Sequence, residues 1–322
     1  MWQVYHRVAS GRMVAVLEDL KGRDFTRVAD WSGPELERVL DLADELKELQ
    51  KRGEEHHLLP GRTLGMIFQK PSTRTRVSFE VGIAQLGGTG LYLSAGDLQL
   101  GRGETLKDTA TVLSRYLDAI MIRTFAQEDV EELARHASIP VINGLTDSSH
   151  PCQALADVMT IRERLGRLEG MTVAYLGDGN NVCASLMVAA AKLGMKFRAA
   201  TPTGYEPPST AVEIARETGS TIELLDDPRE AAAGADVLYT DVWTSMGQEE
   251  ERERRLRDLA GFGIDEELVG LAAKNAIVLH CLPAHYGEEI TEDVLYGPQS
   301  AVWDQAENRL HAQKALMALL IR

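Results

Sequence analysis

The sequence is short of cysteine, of positive charge and of long apolar runs, and each shortage excludes something. Its three cysteines, Cys152, Cys183 and Cys281, lie far apart and are odd in number. They offer no disulfide framework and no CxxC pair, which fits a reducing, cytoplasmic setting. Lysine and arginine number 34 against 49 aspartates and glutamates, a net charge of -15. Such a field repels nucleic acid and anionic membranes, so neither is an expected partner, and any anionic ligand must be held by local positive charge. No apolar stretch approaches the roughly 20 residues that span a bilayer. The start of the chain has no sustained apolar segment of the kind a leader needs. Residues 1–12 read as a loose extension, with Met13 an alternative start.

What is present is an alternation. The length of 322 residues allows one large or two medium domains. After Ser32, a good N-cap, "GPELERVLDLADELKELQKRG" carries Leu36, Val39, Leu40, Ala43 and Leu46 at helical spacing. Buried strands are predicted at "RTLGMIF" and "DAIMIRT", a further strand at "TGLYLS" and a short one at "PVING", with a helix at "TRTRVSFEVGIAQLGG" closed by Gly87 and Gly88. A helix "QALADVMTIRERLGRLEG" follows, and then the pattern restarts. Strands are predicted at "MTVAYLG", "KFRAA", "DVLYTD" and "AIVLHCL", helices at "NVCASLMVAAAKLG" and "QAENRLHAQKALMALLIR". Strands separated by helices mean an α/β protein with parallel sheets. The restart near residue 150 divides it into two doubly wound domains joined by interdomain helices: 1–149, with the last helix 305–322 packing back on it, and 150–304. The charge run "EEERERRLRD" reads as a solvated helix face.

One stretch runs against the acidic background. "FQKPSTRTRVSFE" places Lys70, Arg74 and Arg76, with Ser72 and Thr73, at a predicted strand-to-helix turn. Helix N-termini favour anions through unpaired N–H groups and the helix dipole, and an arginine fork matches two phosphate oxygens. "FQKPSTRTR" resembles the carbamoyl-phosphate signature of the aspartate and ornithine carbamoyltransferase family, and the resemblance runs from about residue 20 to the end of the chain. It implies that Ser72, Thr73, Arg74 and Thr75 hold the phosphate. "HPCQ", His150, Pro151, Cys152 and Gln153, matches the segment that contacts the carbamoyl group. Arg123, ending "DAIMIR", and Arg309, in "ENR", match two further carbamoyl-phosphate arginines. Gln99, in "GDLQLGRGET", matches a ligand on a loop that reaches a neighbouring subunit, and the absence of a lysine near it leans towards ornithine rather than aspartate.

The remaining motifs concern the amine. "LGDGNNVCAS" is not a dinucleotide loop, because Val182 stands where the third glycine of G-x-G-x-x-G belongs. It resembles the G-D-x-x-N-N segment of the ornithine-specific members, with Asn181 matching the substrate ligand and Asn180 suited to an N-cap. "DVWTSMG" resembles their D-x-x-x-S-M-G loop. That resemblance implies Asp241 on the α-ammonium of ornithine, with Ser245 and the Met246 backbone completing the set. "LHCLPAH" matches the H-C-L-P segment, in which Cys281 and Leu282 flank the carbamoyl group and the δ-amine. No covalent role is assigned to Cys281, and no ligand spacing supports zinc. The family implies a transferase that makes L-citrulline and phosphate from carbamoyl phosphate and L-ornithine. Arg123, His150, Asp241 and Cys281 are its expected catalytic residues, with no metal or organic cofactor, in a homotrimer or a multiple of trimers. The alternatives are a carbamoyltransferase for putrescine or N-acetylornithine, and a non-catalytic ligand-binding protein on the same scaffold.

Overall fold

The computed structural model describes residues 20–244 and 249–321. The chain forms two compact units. One comprises the described residues through Cys152 together with those from Arg309 on; the other spans Gln153–Asn308. Met13 and residues 1–12, Ser245 and Met246 lie outside the described residues.

The first unit opens with helix α1, Gly33–Lys51. Ser32 and Glu35 form a reciprocal capping box, and Pro34 starts the first turn, as an N-terminal signal of this kind requires. Leu36, Val39, Leu40, Ala43 and Leu46 are all buried, the stripe expected from their spacing. There follow β1 (Thr63–Phe68), α2 (Thr73–Gln85), β2 (Thr89–Ser94), α3 (Leu106–Leu113), β3 (Ala119–Arg123), α4 (Gln127–His136) and β4 (Val141–Leu145). The four strands pair in parallel in the order β2-β1-β3-β4. β3 is buried along its whole length, and Ile67, Ile120, Ile122 and Val141 pack with Ala110, Val130 and Leu133 from the helices. Unbroken apolar strands are what a parallel sheet covered by helices demands.

Helix α5 (Pro151–Leu165) begins at the last residues of this unit. The second unit then runs β5 (Thr172–Leu176), α6 (Asn181–Lys192), β6 (Lys196–Ala200), α7 (Ser209–Glu217), β7 (Ile222–Leu225), α8 (Pro228–Ala232), β8 (Val237–Thr240), α9 (Arg252–Asp258), α10 (Glu266–Val269), β9 (Ile277–His280) and α11 (Glu292–Leu295). Its sheet is also parallel throughout, in the order β7-β6-β5-β8-β9. Ala174, Leu176, Leu238 and Val278 join Trp243, Leu259, Ile264 and Leu295 in its core. The chain closes with α12 (Val302–Leu320), whose residues from Arg309 on belong to the first unit.

Each sheet has one point where the strand order reverses, between β1 and β3 in the first and between β5 and β8 in the second. Loops leaving the carboxyl ends of such strands splay apart and open a crevice, the usual ligand position in open α/β sheets. The segments "QKPSTRT", after β1, and Arg123, at the end of β3, meet the first of these conditions. "GDGNN", after β5, and Asp241, after β8, meet the second.

Candidate active site

The first cluster grows from the β1–α2 turn. Ser72 is extended (φ -164°, ψ 116°) and caps α2 by accepting from the Thr75 N–H at 3.2 Å. No acidic residue occupies the first turn of α2, so its N-terminal field is not neutralised from within the helix. Thr75 is buried, and its Oγ1 accepts from Arg309 of α12 at 3.1 Å. With its amide turned to match its neighbours, Gln313 accepts from two nitrogens of Arg309 (3.1 and 3.2 Å) and donates to Ser78 at 2.6 Å. The guanidinium of Arg309 is thereby fixed against the start of α2 from one turn further along α12.

Arg123 at the end of β3 and His150 just before α5 are both buried. Burial pushes His150 well below its ordinary value, and the positive charges of Arg309, Arg123 and Arg74 push it the same way. Three cations from α12, β3 and α2 therefore converge on one neutral imidazole. Pro151 opens α5, and Cys152 is enclosed, its thiol directed at the Asn143 carbonyl at 3.3 Å and pushed up by burial to about 12. Cys152 is thus a packed, unreactive thiol.

The sequence cluster does not stay together. Lys70 is buried, ion-paired with Asp147, and its Nζ lies 4.4 Å from the centroid of the Phe125 ring. Arg76 points along the outside of α2, with Glu80 at 3.3 Å and its guanidinium 3.9 Å from the Tyr92 ring centre. Of the three cations that stand out in "FQKPSTRTR", Arg74 adds its charge to those that depress His150. Gln99 is exposed in the helical turn Gln99–Arg102, and no described hydrogen bond ties it to this cluster.

The second cluster lies at the switch point of the other sheet. Gly177 takes φ +118°, beyond the comfortable range of other residues, and a Cβ on Gly179 would fall 2.3 Å from the Pro207 nitrogen. Both glycines that suggested a nucleotide loop are thus required by the backbone. Asn180 caps α6 by accepting from the Val182 and Cys183 N–H groups, as expected, and its amide nitrogen donates to Asp241 at 2.8 Å. The other oxygen of buried Asp241 accepts from the Cys281 thiol at 2.9 Å. Asn181, next to Asn180 at the first position of α6, is half-buried, and Leu282 follows Cys281 with φ +58°. Gln153 is buried, and its amide nitrogen donates to Asp157 at 2.7 Å.

One residue of this cluster lies in no motif. Arg255 sits in the charge run read as a solvated face, yet it is buried. It pairs with Asp178 at 2.7 Å, donates to the Trp243 carbonyl at 3.1 Å and so ties the loop after β8 to the loop after β5. The other arginines of the run, Arg252, Arg254 and Arg257, are exposed, so charge density alone could not single it out. Burial raises Asp178 while Arg255 lowers it. For a metal, Asp241, His280 and Cys281 bring one potential ligand atom each within 4.8 Å of the others. Both ring nitrogens of His280 are already engaged, by the Leu282 N–H (2.8 Å) and by Glu289 (3.1 Å), so the set is poorly disposed to ligate.

This arrangement has known counterparts. The carbamoyl-P binding domain of the aspartate/ornithine carbamoyltransferases matches residues 23–163, and their Asp/Orn binding domain matches residues 169–320. The chain belongs to the aspartate/ornithine carbamoyltransferase family. Among members of the family it is 58% identical over 313 residues to the ornithine carbamoyltransferase of Anoxybacillus flavithermus, covering 96% of this chain and 99% of that one. It is 58% identical over 306 residues to that of Pyrococcus horikoshii, covering 94% and 96%. The solved ornithine carbamoyltransferase from Pyrococcus furiosus superposes with a TM-score of 0.91 at 56% identity, covering 94% of this chain and 98% of that one. Among the described residues no helix is long and apolar enough to cross a membrane.

Proposed function

We propose that the protein is a cytoplasmic carbamoyltransferase of arginine metabolism that converts carbamoyl phosphate and L-ornithine to L-citrulline and phosphate. The first unit is the carbamoyl-phosphate binder and the second the ornithine binder. The observation that carries the choice of amine is Asp241. It is a buried carboxylate held by Asn180 and the Cys281 thiol. It suits an α-ammonium and is wrong for the second carboxylate of aspartate. Near relatives named for ornithine support the same choice.

The chemistry follows from these groups. The phosphate is held at the start of α2 by Ser72, Thr73, Arg74 and Thr75, with Arg309 behind them. The carbamoyl oxygen lies against Arg123 and His150, and Pro151, Cys152, Gln153 and Gln99 complete the carbamoyl-phosphate contacts. Because His150 is neutral, its N–H donates to that oxygen as negative charge grows, while the arginines supply the positive field. Ornithine is held through Asn181, Asp241, Ser245 and Met246, with Cys281 and Leu282 at its δ-amine. The lone pair of the neutral amine attacks the carbamoyl carbon, the carbon–oxygen bond to phosphate breaks, and the phosphate leaves with the amine's proton. A free alkylamine titrates near roughly 10.4, so the site must select its minor neutral form. The work is positioning and electrostatics. Purified protein given carbamoyl phosphate and ornithine should form citrulline, and Arg74→Ala should lower kcat/KM by about a thousandfold. Citrulline formation unaffected by that change would sink the phosphate assignment.

A homotrimer is part of the same reading. Val77 and Val81 on α2, with Leu91 and Tyr92 on the edge strand β2, are exposed apolar side chains on the first unit. An apolar edge of this kind favours a partner over water. Sedimentation should give three times the chain mass of 35.4 kDa or a multiple of it; a monomer would refute the assembly.

A further inference from the structure

Behind Cys281 and Leu282 lies a buried pair, His280 (1% exposed) and Glu289 (0%). The Leu282 N–H, which can only donate, lies 2.8 Å from His280 Nδ1. Nδ1 is therefore the acceptor, and the ring proton sits on Nε2. Nε2 faces Glu289 Oε1 at 3.1 Å, so this proton is donated to the carboxylate. The same carboxylate oxygen accepts from the His285 N–H at 2.6 Å, and the His280 N–H donates to Gln305 at 2.9 Å. Tautomer, ring orientation and flanking backbone are thus fixed together, as a carboxylate fixes a histidine in metal and catalytic sites.

What the ring holds is costly backbone. Leu282 is the one described non-glycine residue with positive φ, +58°, a conformation that is costly for a branched side chain. The bond from its N–H to Nδ1 is a local interaction that offsets this. Were the proton on Nδ1 instead, two donors would face each other and the turn would open. Cys281, whose thiol reaches Asp241 at 2.9 Å, lies between the ring and the turn.

We propose that Glu289 and His280 are positioning residues for carbamoyl transfer. Glu289 locks His280 with its proton on Nε2, and Nδ1 holds Leu282 in the turn that aims the Leu282 carbonyl and the Cys281 thiol at the reacting amine. This rests on the ornithine-carbamoylating reading above.

The test uses the two amides that mimic the two ring nitrogens. In His280→Asn the side-chain oxygen takes the place of Nδ1 and still accepts from Leu282. In His280→Gln the nitrogen takes the place of Nε2 and still meets Glu289, but Leu282 loses its acceptor. The expected result is a kcat loss of about tenfold or less for the asparagine and about a hundredfold for the glutamine, with KM for ornithine moving less than about threefold in either. A role confined to filling the core predicts the opposite order, because glutamine is nearer to histidine in volume. That order, or equal losses at equal melting temperatures, overturns the proposal. A second pair keeps the test alive if one variant fails to fold. Glu289→Gln retains an oxygen that can accept from both His280 and His285 and should outperform Glu289→Leu by about tenfold in kcat; no difference between them also overturns it. Wild-type protein that makes no citrulline would defeat the underlying reading before any variant is compared.

Discussion

At the scale of single residues, the environment decides which form of a group does the chemistry. His150 is kept neutral by burial and by three arginine charges. An unfolded chain therefore binds more protons at this position between its folded value and 6.5, and stability contributed here is lost as pH falls through that window. Within the native protein the ring stays a neutral donor through the neutral range. In the proposed reading Asp241 meets the substrate's α-ammonium, and its two oxygens are held still by Asn180 and Cys281. Asp241→Asn keeps the shape and one acceptor but loses the charge. It should raise KM for ornithine by about 10- to 100-fold while leaving carbamoyl-phosphate affinity within about twofold. A change in the affinity for carbamoyl phosphate instead, measured by calorimetry, would remove Asp241 from the amino-acid role. The sequence made Arg74, His150 and Asp241 legible because they sit in short motifs at strand ends. It did not reveal Arg255 or Glu289, whose importance comes from burial and from partners 77 and 9 residues away. Nor could it show that Lys70 and Arg76, close to Arg74 in the chain, are engaged by Asp147 and Glu80.

At the scale of elements, strong local signals translated well. The Ser32 capping box, the stripe of α1 and the apolar strands β1, β3, β5, β8 and β9 are visible as pattern because parallel strands buried on both faces are apolar throughout. β7 was not visible. It is a four-residue edge strand with Glu223 and Leu224 exposed, so it has neither an apolar run nor a clean alternation. α12 shows how an element can be pinned by charge without an ion pair. Lys314 is fully buried, and its Nζ donates to Gln50 (2.8 Å), Gln85 (2.9 Å) and His56 (3.0 Å), side chains from α1, α2 and the loop after α1. Burial lowers it from 10.5 to about 8. Between those values the unfolded chain binds more protons than the folded one, so stability should rise as pH climbs from about 8 towards 10.5. The gain is at most about 3 kcal/mol, and it should vanish from the melting curves of Lys314→Met. An unchanged difference between the two proteins across that range would contradict the assignment.

At the scale of the whole molecule, an acidic chain gathers three arginine charges around His150, where the proposed function places one anion. The net charge of -15 makes Arg74, Arg123 and Arg309 a local exception, and their convergence from three separate elements is a product of the fold, invisible in any one stretch. The switch points of the two sheets carry the segment after β1 with Arg123, and the segment after β5 with Asp241, so the alternation that announces the fold class also marks where ligand loops would emerge. The central claim is that this chain carbamoylates ornithine in preference to other amines. The most direct measurement is kcat/KM for citrulline formation from L-ornithine, set against carbamoylation of putrescine, N-acetylornithine and L-aspartate under the same conditions. A site built around a buried Asp241 should favour ornithine by about a thousandfold or more, since putrescine and N-acetylornithine lack the free α-ammonium that would face that carboxylate and L-aspartate brings a second carboxylate towards it. Equal or better use of any of the other three amines would contradict the account.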